Sequence, residues 1–424
     1  MFRLLVCAAA VLIVTPAAKA YSVLTHEAII DSAWDPYIKP LLEKRFPQAA
    51  PDDLLHAHAY VYAGAIIQDM GYYPFGSHFF SDLTHYVRSG DFVMNLLAEA
   101  QDLNEYAFAL GALAHYAADT TGHPLAVNAA VAIQYPKLRA KYGSLVTYAD
   151  DPAAHLKVEF GFDVWQVSRG NYAPQSYHDF IGFEVSQPVL ERAFHDTYSL
   201  DLPSLFTSID LALGTYRYSV SNLIPEMTRV AWETQKDDLR KSHPGLTRRQ
   251  FRYNLSHASY KKEWGRQYRK PGIFTRILAF FFRLVPKVGP FKAAAFQPPT
   301  SQTITLFEGS FNRTMEEYRM LLSVVAEGKL MLENRDLDTG KPTCPGEYSL
   351  ADNTFSKLAI ELAGMDTAKV DARVVKQVLD FYQDMNQAFA TRADSRQWND
   401  TIRALALLRA AAPSPAAPAT PAAK

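Results

Sequence analysis

Cysteine is nearly absent from this chain: 424 residues contain two, Cys7 and Cys344. Cys7 lies in an apolar leader that reads as removable, so Cys344 is left alone and no disulfide holds the fold. Long apolar runs are missing too. The opening MFRLLVCAAAVLIVTPAAKA has one Arg, an apolar run over residues 4–14 and the small-residue ending Ala18-Lys19-Ala20. That pattern is a secretory signal cut before Tyr21 and is too short to span a bilayer comfortably; no other stretch approaches the roughly 20 apolar residues a span needs. The expected product is an exported protein, periplasmic or secreted. Sustained apolar/polar alternation is scarce, which argues against a large half-buried sheet. No internal repeat is evident.

What is present suits a large helical core. Hydrophobic residues make up 48% of the chain and aromatics 12%, enough to bury a core and to build more than one domain. Apolar periodicity predicts helices near 92–118, 124–141, 151–166, 203–234, 302–333, 353–364, 370–391 and 395–411, and hence an all-α fold. GYYPFGSHFF (71–80), RGNYAPQSY (169–177) and DTGKPTCPGEY (338–348) read as loops. The expected organisation is a signal at 1–20, a helical domain at 21–236, a basic aromatic segment at 237–299, a second helical region at 300–410 and a Pro/Ala tail at 411–424 that cannot bury a core. The net charge of −1 hides an asymmetry: residues 240–292 hold 14 Lys or Arg against the single acid Glu263, a net +13, leaving −14 for the remainder.

The chemistry-bearing residues fall in the first half. In ALGALAHYAADTTGHP, His115, Asp119 and His123 stand four apart, and His155 with Glu159 repeats that step in HLKVEF. Residues four apart share a helix face, and imidazole and carboxylate are donors that zinc accepts. Either pair alone would read as an ordinary surface pair. The neighbours Phe108, Leu110, Ala112, Leu113 and Ala114 are apolar, however, so the helix is expected to be buried and its polar groups to need strong partners. A metal ion is such a partner. Upstream, His26 follows Tyr21 closely, and IIQDMGYYPFGSHFFSDLTHY offers Asp69, His78, Asp82 and His85. Six of the 12 histidines thus lie in these neighbourhoods.

The order of N-terminal residue, His, Asp, His, His-x-x-x-Asp-x-x-x-His-Pro and His-x-x-x-Glu resembles the zinc-dependent phospholipase C family, which shares its fold with the S1/P1-type nucleases. The resemblance covers about residues 21–236 and implies a helical bundle holding two or three zinc ions at one end. It implies that Asp69, His85, His115 and Asp119 hold one zinc and that His123, His155 and Glu159 hold another. Asp119 would bridge to a third, completed by His26 and by the free amine and carbonyl of Tyr21, so signal cleavage would be a condition for assembling the site. The family usually starts with Trp, but the ligands there are backbone atoms. The step from Asp119 to His123 is shorter than in the best-known members. His78 is the alternative to His85.

Phosphodiester hydrolysis needs a nucleophile at neutral pH and charge stabilisation at phosphorus, and clustered zinc ions supply both. Asp69 is the candidate for orienting or deprotonating the attacking water; its plain alternative is a purely structural ligand. Tyr72, Tyr73, Phe75, Phe79 and Phe80 would wall a pocket for a cationic lipid headgroup, stack a nucleobase, or simply pack in the core. Within residues 273–292, the apolar run 277–285 with Phe280, Phe281 and Phe282 lies among Arg276, Arg283, Lys287 and Lys292. This suits peripheral contact with an anionic membrane surface, with nucleic acid and a buried helix as alternatives. Two other classes stay open. The dyads His178-Asp179 and His195-Asp196 would fit an HD-type phosphohydrolase, and zinc held in closed sites would fit a non-catalytic exported protein that docks to a surface or partner.

Overall fold

The computed structural model describes residues 22–169, 171–172, 183–242, 296–366 and 369–411. The signal with Tyr21, His178-Asp179, the segment 273–292 and the tail from 412 lie outside the described residues. Among the described residues the fold is all-α, with no strand and one isolated bridge between Arg335 and Pro342.

Eight helices carry the argument: α1 (Val23–Ala33), α2 (Pro51–Gly64), α3 (His78–Tyr86), α4 (Leu103–Gly122), α5 (Pro152–Ser168), α6 (Ser301–Ala326), α7 (Ser349–Gly364) and α8 (Ser395–Ala411). Local chemistry starts them. Asp102 caps α4 by accepting the Glu105 N–H at 2.9 Å. Asp151 caps α5 through the Ala154 N–H at 2.8 Å, with Pro152 at the first helical position, where its missing N–H costs nothing. The helix α4 is buried on nearly every face and forms the centre of the molecule.

Glycine lets α2 reach it. A β-carbon on Gly64 would stand 2.0 Å from the Phe108 carbonyl oxygen, and one on Gly111 would stand 2.1 Å from that of Val61. The two backbones therefore touch where side chains would hold them apart. The helix α6 closes the core from the C-terminal half: Tyr318 Oη donates to the Leu110 carbonyl at 2.9 Å, and Phe307 stacks on Phe162 of α5 at 4.6 Å. One continuous core contains residues from both the 21–236 and 300–410 stretches.

Several expected helices need correction. The stretch 92–118 is two helices, Ser89–Glu99 and α4, because Asp102 starts a new one. The stretch 124–141 breaks at Tyr135, ahead of Pro136, which disfavours helical backbone in the residue before it. The helix expected to run to 333 stops at Ala326. Gly328 takes φ +67°, Lys329 N–H bonds the Val324 carbonyl and Gly328 N–H that of Val325, a Schellman stop. The helix expected over 370–391 ends at Phe381. Conversely, α1, α2, α3 and Gln187–Tyr198 were not expected. Every residue of α1 is buried, so it shows no amphipathic period to read.

Candidate metal centre

Five elements bring side chains into one cluster, and a sixth, α5, stands beside it. His115 and Asp119 come from the last turns of α4, and His123 follows where the helix widens into a π turn, His123–Val127. Pro124 has no N–H to give to a regular turn, and the Asn128 N–H reaches back to the His123 carbonyl. His26 comes from α1, Asp69 from the 3₁₀ turn Ile67–Tyr72, His85 from α3, and His155 with Glu159 from α5.

Asp119 is the hub. One of its oxygens lies 3.2 Å from His115 Nε2, 3.6 Å from His85 Nε2 and 3.8 Å from His123 Nε2; the other lies 3.5 Å from His26 Nε2. Asp69 Oδ1 stands 3.5 Å from His85 Nε2. Two overlapping triplets, His26/Asp69/His115 and His85/His115/Asp119, have ligand atoms spaced to share an ion. Of the two alternatives, His85 stands in the cluster, whereas His78 is exposed at the start of α3.

Hydrogen bonds orient two of the rings. His115 Nδ1 faces the Ala65 carbonyl at 3.0 Å and His85 Nδ1 faces that of Ser81 at 2.8 Å. A carbonyl only accepts, so each Nδ1 carries the proton and each Nε2 presents a lone pair. Those two Nε2 atoms are 3.3 Å apart. Two facing lone pairs need a cation or a proton between them. The carboxylates of Asp69 and Asp119 are fully buried, and none of their four oxygens accepts a hydrogen bond. Burying such charges uncompensated costs several kcal/mol each. The residues therefore fit a bound metal ion on grounds of satisfaction alone.

The proton affinities carry the same message. Burial opposes charge on His85, but the neighbouring Asp119 and Asp69 outweigh it and lift its pKa to about 10. Burial likewise opposes charge on Asp119, yet His115, His85 and His26 hold its carboxyl well below the usual range. A site that attracts a proton this strongly attracts a divalent cation that displaces it. Burial pushes His123 and His155 the other way, towards neutral imidazole, the form that ligates.

His155 and Glu159 are arranged differently from the cluster. Glu159 Oε1 lies 2.8 Å from His155 Nδ1, so in this arrangement the carboxylate addresses the ring, and Asn128 Oδ1 lies 2.8 Å from Nε2. Both partners accept, and a neutral imidazole has one N–H for the two. Handing the Nε2 contact to a cation removes that mismatch. The His123 and His155 rings sit 5.1 Å apart.

Of the aromatic loop, only Tyr72 adjoins the cluster. Its ring is 5.8 Å from His85 and 6.4 Å from Tyr148, and Tyr148 is 6.0 Å from His155. Phe80 packs on Phe194 and Phe206, Tyr73 on Tyr216, and Phe75 is exposed. Sequence reasoning missed Tyr148, Asn128, Asp163 and Asp338. Asp163 accepts the Leu24 N–H and the Thr25 hydroxyl, pinning the start of α1. Asn128, five residues past His123, is a polar residue amid the apolar run LAVNAAVA and was there to be noticed; Asp338 is too distant in sequence to give a signal. Of the HD dyads, His195 pairs with Asp201 at 3.4 Å on the surface, away from any cluster.

Buried carboxylates without hydrogen bonds and facing imidazoles inside a helical bundle define an all-α protein whose His/Asp cluster is built to accept a metal ion. The stretch 25–207 matches the family described as zinc dependent phospholipase C. The match spans every cluster residue from His26 to Glu159. The family's description names zinc and phospholipid hydrolysis, and the match supports a phospholipid hydrolase. Comparison with curated proteins and with solved structures found no match.

Proposed function

We propose that the protein is an exported phospholipase C that releases phospholipid headgroups. The observation that carries this reading is the centre itself, where two imidazole lone pairs and two unsatisfied carboxylates converge inside a stretch matched to that family. Asp69, His85, His115 and Asp119 would hold one zinc. His123 and His155, with Glu159, would hold a second. His26 and the freed amine and carbonyl of Tyr21 would complete a third beside Asp119. Bound zinc acidifies water and stabilises charge on the phosphoryl oxygens.

The chain's own residues do the rest. Asp69 would take the proton of the attacking water as the water oxygen bonds to phosphorus; the bond that breaks joins phosphorus to the glycerol oxygen, which takes a proton from solvent and leaves as the diacylglycerol hydroxyl. Nδ1 bonds to Ala65 and Ser81 keep His115 and His85 in the ligating tautomer. Tyr72 and Tyr148 offer ring faces near the cluster that suit a quaternary ammonium headgroup. Cleavage before Tyr21 would place a free amine one residue ahead of Ser22, where Asp163 anchors α1. The basic, Phe-rich segment 273–292 would supply contact with an anionic membrane.

The test uses purified protein beginning at Tyr21, with zinc measured by elemental analysis and hydrolysis of phosphatidylcholine and single-stranded DNA compared with and without chelator. Chelator-sensitive phosphocholine release is expected. Nucleotide release instead would move the substrate to the nuclease relatives of the fold, and a protein without zinc would sink both. For Asp69→Asn, retained zinc with kcat lowered about 10²- to 10⁴-fold is expected; full activity would remove the base role.

A further inference from the structure

We infer that Asp338, 131 residues beyond the end of the family match, is a positioning residue of the metal centre that sets the orientation and tautomer of His123. The inference rests on the zinc reading above. His123 is 1% exposed, and neither of its ring nitrogens has a hydrogen-bond partner. Its Nε2 points to Asp119 at 3.8 Å, and its Nδ1 lies 3.3 Å from Asp338 Oδ1, close but not aligned as a hydrogen bond. The ring thus spans two carboxylates, one in the cluster and one from the far half of the chain. A small rotation aligns the Asp338 contact, places the proton on Nδ1 and leaves Nε2 as the lone pair facing Asp119. Metal-bound histidines characteristically have such a carboxylate behind them.

Asp338 is fixed for this task. Its other carboxylate oxygen accepts the hydroxyls of Tyr86, at 3.1 Å, and Tyr348. Its own N–H donates to Asp336 Oδ1 at 2.9 Å, and its carbonyl accepts from Asn128 Nδ2 at 2.9 Å. Since Asn128 Oδ1 meets His155 Nε2, residue 338 touches one histidine directly and reaches the other through Asn128. The neighbouring Leu337 N–H bonds the carbonyl of His85 itself, at 3.1 Å. Gly340 seats the loop: with φ +68°, it lies where a β-carbon would stand 2.3 Å from the Thr120 carbonyl oxygen of α4. The C-terminal region therefore supplies part of the centre's framework as well as covering the core.

Asp338→Asn separates this role from simple packing. The amide oxygen still accepts from Tyr86 and Tyr348, but the amide N–H₂ then faces Nδ1. That favours the proton on Nε2, the tautomer that cannot ligate. Wild type, Asp338→Asn and Tyr348→Phe would be compared for zinc affinity by competition with a chromophoric chelator, and for thermal midpoint with and without zinc. The expected result is a 10- to 100-fold loss of affinity for one ion in Asp338→Asn, of the size such supporting groups usually have. The zinc-free midpoint stays near wild type, and Tyr348→Phe shows a smaller loss at the same ion. Wild-type affinity for every ion in Asp338→Asn would overturn the inference. If that variant does not fold, unchanged affinities in Tyr348→Phe would overturn it instead. A wild type that binds no zinc would overturn the zinc reading and this inference together.

Discussion

His58 and His85 are both buried histidines, and their neighbours give them opposite characters. His58 stacks on Trp34 at 3.8 Å, and its Nε2 comes no nearer than 3.7 Å to Asp31, whose carboxylate takes the Tyr62 hydroxyl. Burial therefore drives its pKa down to about 3. His85 also loses solvation, but two carboxylates overrule that loss and its pKa rises to about 10. For His58 the depressed pKa means a neutral ring in the folded state. Its stabilising contribution is complete above the ordinary value of 6.5 and is lost as pH falls from there towards 3. In zinc-free protein, the urea midpoint of wild type should thus fall more steeply between pH 6 and 4 than that of His58→Gln. The difference should approach at most about 1.4 kcal/mol per pH unit; equal slopes would show that His58 is already solvated. Side-chain type in the sequence did not separate these two histidines, because the distinction lies in which carboxylates the fold brings beside each.

At the scale of elements, the site depends on the closeness of α2 and α4. The Ala65 carbonyl that orients His115 is the first residue past α2, and Gly111 is one helical turn before His115. Gly111→Ala would press a methyl against the Val61 carbonyl and the Ala65 N–H, forcing the helices apart. A destabilisation of about 1–3 kcal/mol is expected from overpacking of this kind. Zinc affinity should fall with it, because the Ala65 carbonyl moves; a chemical denaturation curve and a zinc titration on the same variant check both. An unchanged denaturation midpoint would mean that the crossing has slack. The sequence was informative about α5 and α8, whose apolar spacing is local, but it fused α4 with the helix before it. It was silent about α1, buried all round, and it ran the 302–333 helix past the Gly328 stop, hiding the loop that carries Asp338.

For the whole molecule, the centre joins parts of the chain that share no local structure: α1, the 3₁₀ turn, α3, α4, α5 and the loop before α7. Metal that binds only this assembly adds its binding free energy to folding. Zinc held at 1,000 times its dissociation constant contributes about 4 kcal/mol for one site. Chelation should therefore lower the thermal midpoint markedly, and restored zinc should recover it. A midpoint indifferent to chelator would argue that the core alone sustains the fold.

The sequence by itself determined the helical class and the stripe of candidate ligands, because His115, Asp119 and His123 repeat at the period of a helix and their apolar neighbours require burial. It also carried the family likeness of residues 25–207. The tertiary structure decided which aromatic faces the cluster, which of His78 and His85 joins it, and that Asp338 stands behind His123. Those outcomes depend on contacts between residues up to 215 positions apart. Such contacts are set by how helices pack once their apolar faces are buried, and no local spacing records them.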